Sequence, residues 1–200
     1  MKKIIHKLGV ALSIACTVSM VWVGVTNIKP AEASQELEIR SVEEYLQTVR
    51  PQMRPSLWTR MSAQDRRCLA LNVYHEARGE PVRGQMAVVA VTLNRVKLNS
   101  YPDTVCGVVH QSVRDTNGNP IRYQCQFSWY CVGLSDQPAN RAAWERVRAV
   151  TQLAVEQYGD EGVDITHGAD HYHAHWVNPS WADQTQITQV IGVHTFYDLR

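Results

Sequence analysis

The chain has 200 residues with 20 basic and 19 acidic side chains, a formal charge of +1 at neutral pH. An apolar share of 44% fits a globular chain with a core of its own. Beyond residue 33 there is no basic run of the kind that tracks a phosphate backbone, so nucleic acid is not an expected partner.

The first element is a leader. Lys2, Lys3 and Lys7 form a positive n-region, Leu8 to Val25 is apolar, and Ala31-Glu32-Ala33 is a small-x-small cleavage site. Residues 1–33 are read as a signal peptide, which makes the protein exported, periplasmic or secreted. An uncleaved leader would be its only tie to a membrane. Cleavage would remove four lysines and Glu32, leaving 167 residues, 16 basic and 18 acidic, with a net charge of −2. That length suits one domain. Cys68, Cys106, Cys125 and Cys131 remain, and an even count in an exported chain favours disulfides. Three pairings are open, and Cys125 and Cys131 are close enough in sequence for a local bridge.

Residues 34–61 read as a linker and lead-in. Ser41-Val-Glu-Glu resembles a capping box for a short helix through Val49, which Pro51 and Pro55 break. One domain is expected over 62–200. Ser62 is the cap of its first helix, with Asp65 in the first turn. Leu69 and Val73 mark the apolar face, and Gly79 and Pro81 are expected to stop it, Gly79 as a left-handed cap. A second helix over about Val82–Val96 is apolar nearly all round and should be central. Residues 112–138 read as a functional loop or small hairpin. A third helix is expected over about Asn140–Tyr158, ended by Gly159. His171–Val177 and Thr188–Tyr197 read as strands. Helices first and strands last give an α+β fold, mostly helical with a small C-terminal antiparallel sheet.

The residue out of place is Glu76. It follows Leu69 by seven positions and Val73 by three, so it falls on the apolar face of its helix. Desolvation there, and the carbonyl end of the helix, both raise a carboxyl pKa, as a general acid requires. Glu80 follows a glycine and precedes Pro81. It is either a second carboxylate or a turn residue accepting from backbone amides at the start of the next helix. His171, His173 and His175 would share a strand face, where they either hold zinc or line a groove. Gln126-Phe127-Ser128-Trp129-Tyr130 mixes hydrogen-bonding and aromatic side chains in a way that suits sugars.

Several stretches together resemble the bacterial cell-wall hydrolases that include the spore cortex-lytic enzymes. They are Asn72-Val-Tyr-His-Glu-Ala-Arg-Gly-Glu-Pro, Gly84-Gln-Met-Ala-Val-Val-Ala-Val-Thr-Leu-Asn-Arg-Val, Tyr101-Pro-Asp-Thr-Val-Cys-Gly-Val-Val, Cys125-Gln-Phe-Ser-Trp, His171-Tyr-His, Pro179-Ser-Trp-Ala and Gly192-Val-His-Thr-Phe-Tyr. The resemblance covers residues 68 to 198. It implies a distantly lysozyme-like domain that cleaves peptidoglycan glycan strands as a lytic transglycosylase, without a cofactor, through one essential glutamate. Carried onto this sequence, that glutamate is Glu76. Tyr74, Gln126, Ser128, Tyr172 and His173 are the expected groove residues. Two other reactions stay open. One is hydrolysis of the same bond, with Glu80 as second carboxylate. The other is a zinc amidase using His171, His173 and a further ligand.

Overall fold

The computed structural model describes residues 40–45, 47 and 54–200. The expected leader, residues 1–33, lies outside them. The chain divides into two compact units, Met1–Met53 and Arg54–Arg200. In the first unit residues 40–45 and 47 are helical. Arg40 is already helical, so Ser41 lies within that helix rather than at its cap. Among the described residues no helix is long and apolar enough to cross a membrane.

The second unit opens with a single turn, α1 (Leu57–Arg60), followed by α2 (Ala63–Ala77), α3 (Val82–Val96), α4 (Val105–Val109) and α5 (Arg141–Asp160). The cap of α2 is the expected one: Ser62 Oγ accepts the Asp65 N–H at 2.9 Å. Asp65 does a second job, accepting the Cys106 N–H at 2.9 Å and so tying α4 to the start of α2. The Cys68–Cys106 disulfide joins the same two helices. Asn140 caps α5 by accepting the Ala143 N–H.

Two glycines play other parts than the sequence suggested. Gly79 is not left-handed; the turn after α2 closes through the Glu80 N–H and the Ala77 carbonyl at 2.9 Å. Gly159 lies inside α5, where a Cβ would come within 2.4 Å of Leu57 Cβ, so it lets α1 pack closely. The left-handed stop comes three residues later, at Gly162 with φ +70°.

The main core lies among α2, α3, α4 and α5, with Leu69, Val73, Val88, Val89, Val108, Val147 and Val155 fully buried. Val82–Val96 is the central helix expected from its composition. Its second side, through Ala87 and Val91, meets a smaller core of Ala169, Ile191 and Phe196. Ile191 and Phe196 belong to the C-terminal sheet of β3 (His171–Ala174), β4 (Ile187–Ile191) and β5 (His194–Tyr197), and Ala169 leads into it. The sheet order is β3-β5-β4, antiparallel throughout, with Tyr172 opposite Phe196. The fold is therefore α+β, a helical lobe carrying a small antiparallel sheet near its C-terminus.

Between α4 and α5 lies a second, two-stranded sheet, β1 (Ser112–Arg114) and β2 (Pro120–Cys125), followed by a 3-10 turn at Ser128–Cys131. The Cys125–Cys131 disulfide closes this turn on its strand. Of the three possible pairings, the chain takes the one that contains the local bridge.

Candidate active site

Three elements converge at the C-terminal ends of α2 and α3. The last turn of α2 presents Glu76, the last turn of α3 presents Arg95, and β3 brings Tyr172. The 3-10 turn forms the opposite wall and is pinned from beneath. Trp129 donates its indole N–H to Asn72 Oδ1 at 3.1 Å, while Asn72 donates to Thr92 Oγ1 at 3.2 Å. Asn72 is fully buried, and its amide links α2, α3 and the turn. Trp129 also stacks on His75 with 4.5 Å between ring centres.

The result is a cleft of about 460 Å³ lined by Glu76, Arg95, Cys125, Gln126, Phe127, Ser128, His171, Tyr172 and Trp181. A second cavity of about 320 Å³ meets it at Glu76 and is walled by His75, Arg78, Glu80, Trp176, Val193 and His194. Glu76 is the one residue common to both. Glu76 thus lines two adjoining cavities, each with polar and aromatic walls.

Glu76 is half-buried, and withdrawal from water raises its carboxyl above the ordinary carboxylate range. Two neighbours oppose that rise. The Tyr172 hydroxyl donates to Glu76 Oε2 at 3.3 Å, and the Arg95 charge lies close. Tyr172 itself is held well above the usual phenol range, first by burial and then by the Glu76 charge, so it remains a neutral donor. Among the described residues lining the 460 Å³ cleft, Glu76 is the only carboxylate.

Arg95 is the residue that sequence reading missed. It is 3% exposed, donates through Nε to the Asp170 carbonyl at 2.6 Å, and lies 5.2 Å from the ring centres of both Tyr101 and Phe127. With its amide oxygen turned inward, Gln126 accepts from both terminal guanidinium nitrogens at 3.1 Å. Burial lowers the Arg95 pKa, and the neighbouring phenols and carboxylates raise it. The signal was available: a guanidinium beyond the apolar run Met86–Leu93 of a buried helix is the same kind of anomaly as Glu76.

The other expected residues divide. Gln126, Ser128 and Tyr172 line the cleft. Tyr74 does not; it is 4% exposed, its hydroxyl accepts the Asn140 N–H at 3.0 Å, and its ring packs against Trp144. His173 turns away as well, with Nδ1 at the Ala174 carbonyl, Nε2 at the Tyr197 hydroxyl, and its ring stacked on Tyr197. His171 lies in the cleft in its place, oriented by Asp170 Oδ1 at 3.0 Å and packed near Trp181.

The three histidines do not converge on a metal. Strand β3 ends at Ala174, so His175 falls outside the alternation and packs against Trp176. Both ring nitrogens of His173 are taken by neighbours. Among the described residues no group of three or more His, Cys, Asp or Glu side chains is arranged to hold a metal ion.

Glu80 makes a backbone contact, though not the one expected. Its Oε2 accepts the Val193 N–H at 3.0 Å, in the turn between β4 and β5 rather than at the start of α3. His194, beside it, is 6% exposed, and burial lowers its pKa, so its ring stays neutral near pH 7.

Known proteins share this sequence pattern. The family model described as Cell Wall Hydrolase matches residues 79–197, more than half of the chain. The spore cortex-lytic enzyme of Halalkalibacterium halodurans is 47% identical over 136 residues, 68% of this chain and 35% of that protein. The spore cortex-lytic enzyme of Oceanobacillus iheyensis is 52% identical over 50 residues, 25% of this chain and 18% of that protein. The chain therefore spans about a third or less of these relatives' own length. The crystal structure of the catalytic domain of the Bacillus cereus SleB protein is 30% identical, covers 69% of this chain and 92% of that domain, and aligns with a TM-score of 0.48.

Proposed function

The chain belongs to the cell wall hydrolase family, and from that premise we propose that it is a lytic transglycosylase acting on the bond between N-acetylmuramic acid and N-acetylglucosamine in peptidoglycan. The observation that carries this reading is the placement of Glu76: a carboxyl with a raised pKa at the meeting point of two cavities. In this reading a glycan strand lies along the two cavities and brings its scissile oxygen to Glu76. The relatives' shared name, spore cortex-lytic enzyme, supports a wall glycan as substrate. Two disulfides suit a chain that works outside the cytoplasm.

In the proposed reaction Glu76 gives its proton to the glycosidic oxygen, and the bond from that oxygen to the muramoyl anomeric carbon breaks. The leaving sugar departs with a free 4-hydroxyl. The Glu76 carboxylate then takes the proton of the muramoyl C6 hydroxyl as that oxygen bonds to the anomeric carbon. A 1,6-anhydro ring forms, Glu76 is protonated again, and no water is consumed. The Tyr172 hydroxyl steadies the carboxylate between the two proton transfers. The Arg95 charge favours the same ionised state.

Hydrolysis of the same bond is the second reading, and it would call on a second carboxylate about 5–9 Å from the first. Glu80 is the carboxylate in the adjoining cavity, but one of its oxygens is engaged by the Val193 N–H. The single-carboxylate mechanism asks less of the site.

Mass spectrometry of muropeptides released from purified sacculi by the mature chain, with and without chelator, tests this. Anhydromuramoyl ends that persist in chelator and vanish in Glu76→Gln are the expected result. Reducing muramoyl ends would replace the reading with hydrolysis. Free stem peptides lost on chelation would overturn it.

A further inference from the structure

A third cavity lies apart from these two, about 100° around α2 from the face that bears Leu69, Val73 and Glu76. It measures about 540 Å³ and is lined by Trp58 of α1, Ala63, Arg66, Arg67 and Ala70 of α2, and Trp144, Arg148 and Gln152 of α5. It shares no lining residue with either cavity at Glu76. The volume is that of a small-ligand site.

Its chemistry runs against the composition of the chain. Beyond the leader the sequence carries more acidic than basic residues, yet three guanidiniums and no carboxylate line this cavity. Two of them are placed by aromatic rings. Arg66 lies 5.4 Å from the centre of the Trp58 ring, and Arg67 lies 5.9 Å from that of Trp144. Arg67 is further fixed by a 2.8 Å hydrogen bond to Gln137 Oε1. Arg148, on the opposite wall, pairs with Glu145 of its own helix, and both side chains are 56% exposed. Such a pair is weak and readily exchanged for another anion.

Trp58 and Trp144 pack partly against the core and each carries a guanidinium over its ring, and the part of each indole that lines the cavity is an apolar surface of the kind that takes sugar rings. Guanidiniums held beside them offer paired N–H donors that match carboxylate or phosphate. We propose that this cavity is an accessory binding site for an anionic glycan of the cell wall, holding the polymer while the groove at Glu76 acts on it. Sugar rings would rest on Trp58 and Trp144, and their acid groups would meet Arg66, Arg67 and Arg148. The acid groups have two possible sources, the carboxylates of peptidoglycan stem peptides or the phosphates of a wall polymer. The proposal rests on the cell-wall reading given above.

Cosedimentation with purified sacculi tests it, using the chain with Glu76→Gln so that the polymer is not consumed. Adding Arg66→Gln and Arg67→Gln together should weaken binding tenfold or more, and Arg66→Lys with Arg67→Lys should weaken it less, because charge remains but the paired donors do not. Arg148→Gln, on the far wall, should weaken binding while leaving the melting temperature unchanged, which separates loss of the site from loss of the fold. Sacculi stripped of stem peptides, and sacculi stripped of phosphate polymers, identify the source: the arm in which the arginine dependence disappears names the acid group. Unchanged binding in all arginine variants overturns the proposal, as does an equal arginine dependence on uncharged chitin. Cleavage by the chain with Glu76 intact is measured separately. Absent cleavage would remove the enzymatic reading and leave this site standing, whereas normal cleavage with arginine-independent binding would remove this site alone.

Discussion

Tyr172 donates its hydroxyl to Glu76 Oε2 at 3.3 Å, across 96 residues of sequence. The bond joins the last turn of α2 to β3, and it moderates how strongly Glu76 holds its proton. It lowers the carboxyl pKa against the larger effect of burial. Glu76 must be protonated to act as the acid, so cleavage is lost as pH rises through its pKa. Tyr172→Phe removes a lowering influence, and the alkaline limb of the pH–rate profile should move to higher pH. The rate at the optimum should fall about tenfold, somewhat less than the loss of a dedicated oxyanion donor. A profile that does not move would mean that the hydroxyl does not act on Glu76.

The raised pKa of Glu76 also bears on stability. Its folded value lies above the ordinary 4.5 because burial penalises the charged form. A group raised in this way contributes stability that is fully present below the unfolded pKa. That contribution is lost as pH rises through the folded pKa. Glu76→Gln keeps the shape without the charge. It should melt at the same temperature as the parent near pH 4 and at a higher one near pH 8, while cleavage is abolished. Circular dichroism melts at the two pH values check this, and a parent that is the more stable at pH 8 would contradict it.

The local features of the fold were legible because they rest on short-range chemistry. Ser62 and Asn140 announced the starts of α2 and α5, and the apolar run Met86–Leu93 announced a buried central helix. Glu76 was legible for the same reason, since a charge on a periodic apolar face is visible without any partner. What could not be read depends on which segments meet. Gly79 and Gly162 both follow helices, and only the backbone shows that Gly162 takes the left-handed cap. Tyr74 and Tyr172 are both tyrosines beside candidate residues. The first spends its hydroxyl on the cap of α5, and the second reaches Glu76. His171 and His173 alternate on one strand, yet Asp170 turns the first toward the cleft and Tyr197 holds the second back. Arg95 could have been found by the rule that found Glu76, but its partners could not.

Asn72 connects the helical core to the groove wall. Its amide accepts from Trp129 and donates to Thr92, with no exposure to solvent. Asn72→Leu preserves the approximate volume and leaves the buried indole N–H unpaired. The cost should be about 1–3 kcal/mol, read from urea unfolding. The Ser128–Cys131 turn should loosen with it, so cleavage by the folded fraction should fall as well. A variant as stable as the parent would show that the indole finds another acceptor.

Gly192 and Glu80 form a fitted pair. Gly192 has φ +61°, and a Cβ there would stand 2.0 Å from Glu80 Oε2. Gly192→Ala is therefore disfavoured by its left-handed backbone, and its methyl would push the Glu80 carboxylate off the Val193 N–H, so it should lose more than about 1 kcal/mol. Glu80→Gln retains an oxygen able to accept the Val193 N–H and should keep cleavage within a fewfold of the parent. A loss of activity in Glu80→Gln comparable to that in Glu76→Gln, with the fold intact, would restore Glu80 as a second catalytic carboxylate and favour hydrolysis.

The two disulfides should separate stability from activity. Cys68–Cys106 spans 38 residues and joins α2 to α4, away from the groove. Cys125–Cys131 spans 6 residues, and Cys125 lines the cleft. Loop closure in the unfolded chain makes the longer bridge worth about 4 kcal/mol and the shorter about 2 kcal/mol. Replacing Cys68 and Cys106 by alanine should lower the melting temperature more, yet leave cleavage per folded molecule near the parent value. Replacing Cys125 and Cys131 should lower melting less and cleavage more, because Gln126 and Ser128 lie within the loop that this bridge closes. Melting curves paired with initial rates below the transition decide the matter. The reverse ranking would show that the groove wall is held by Asn72 and Trp129 without help from its disulfide.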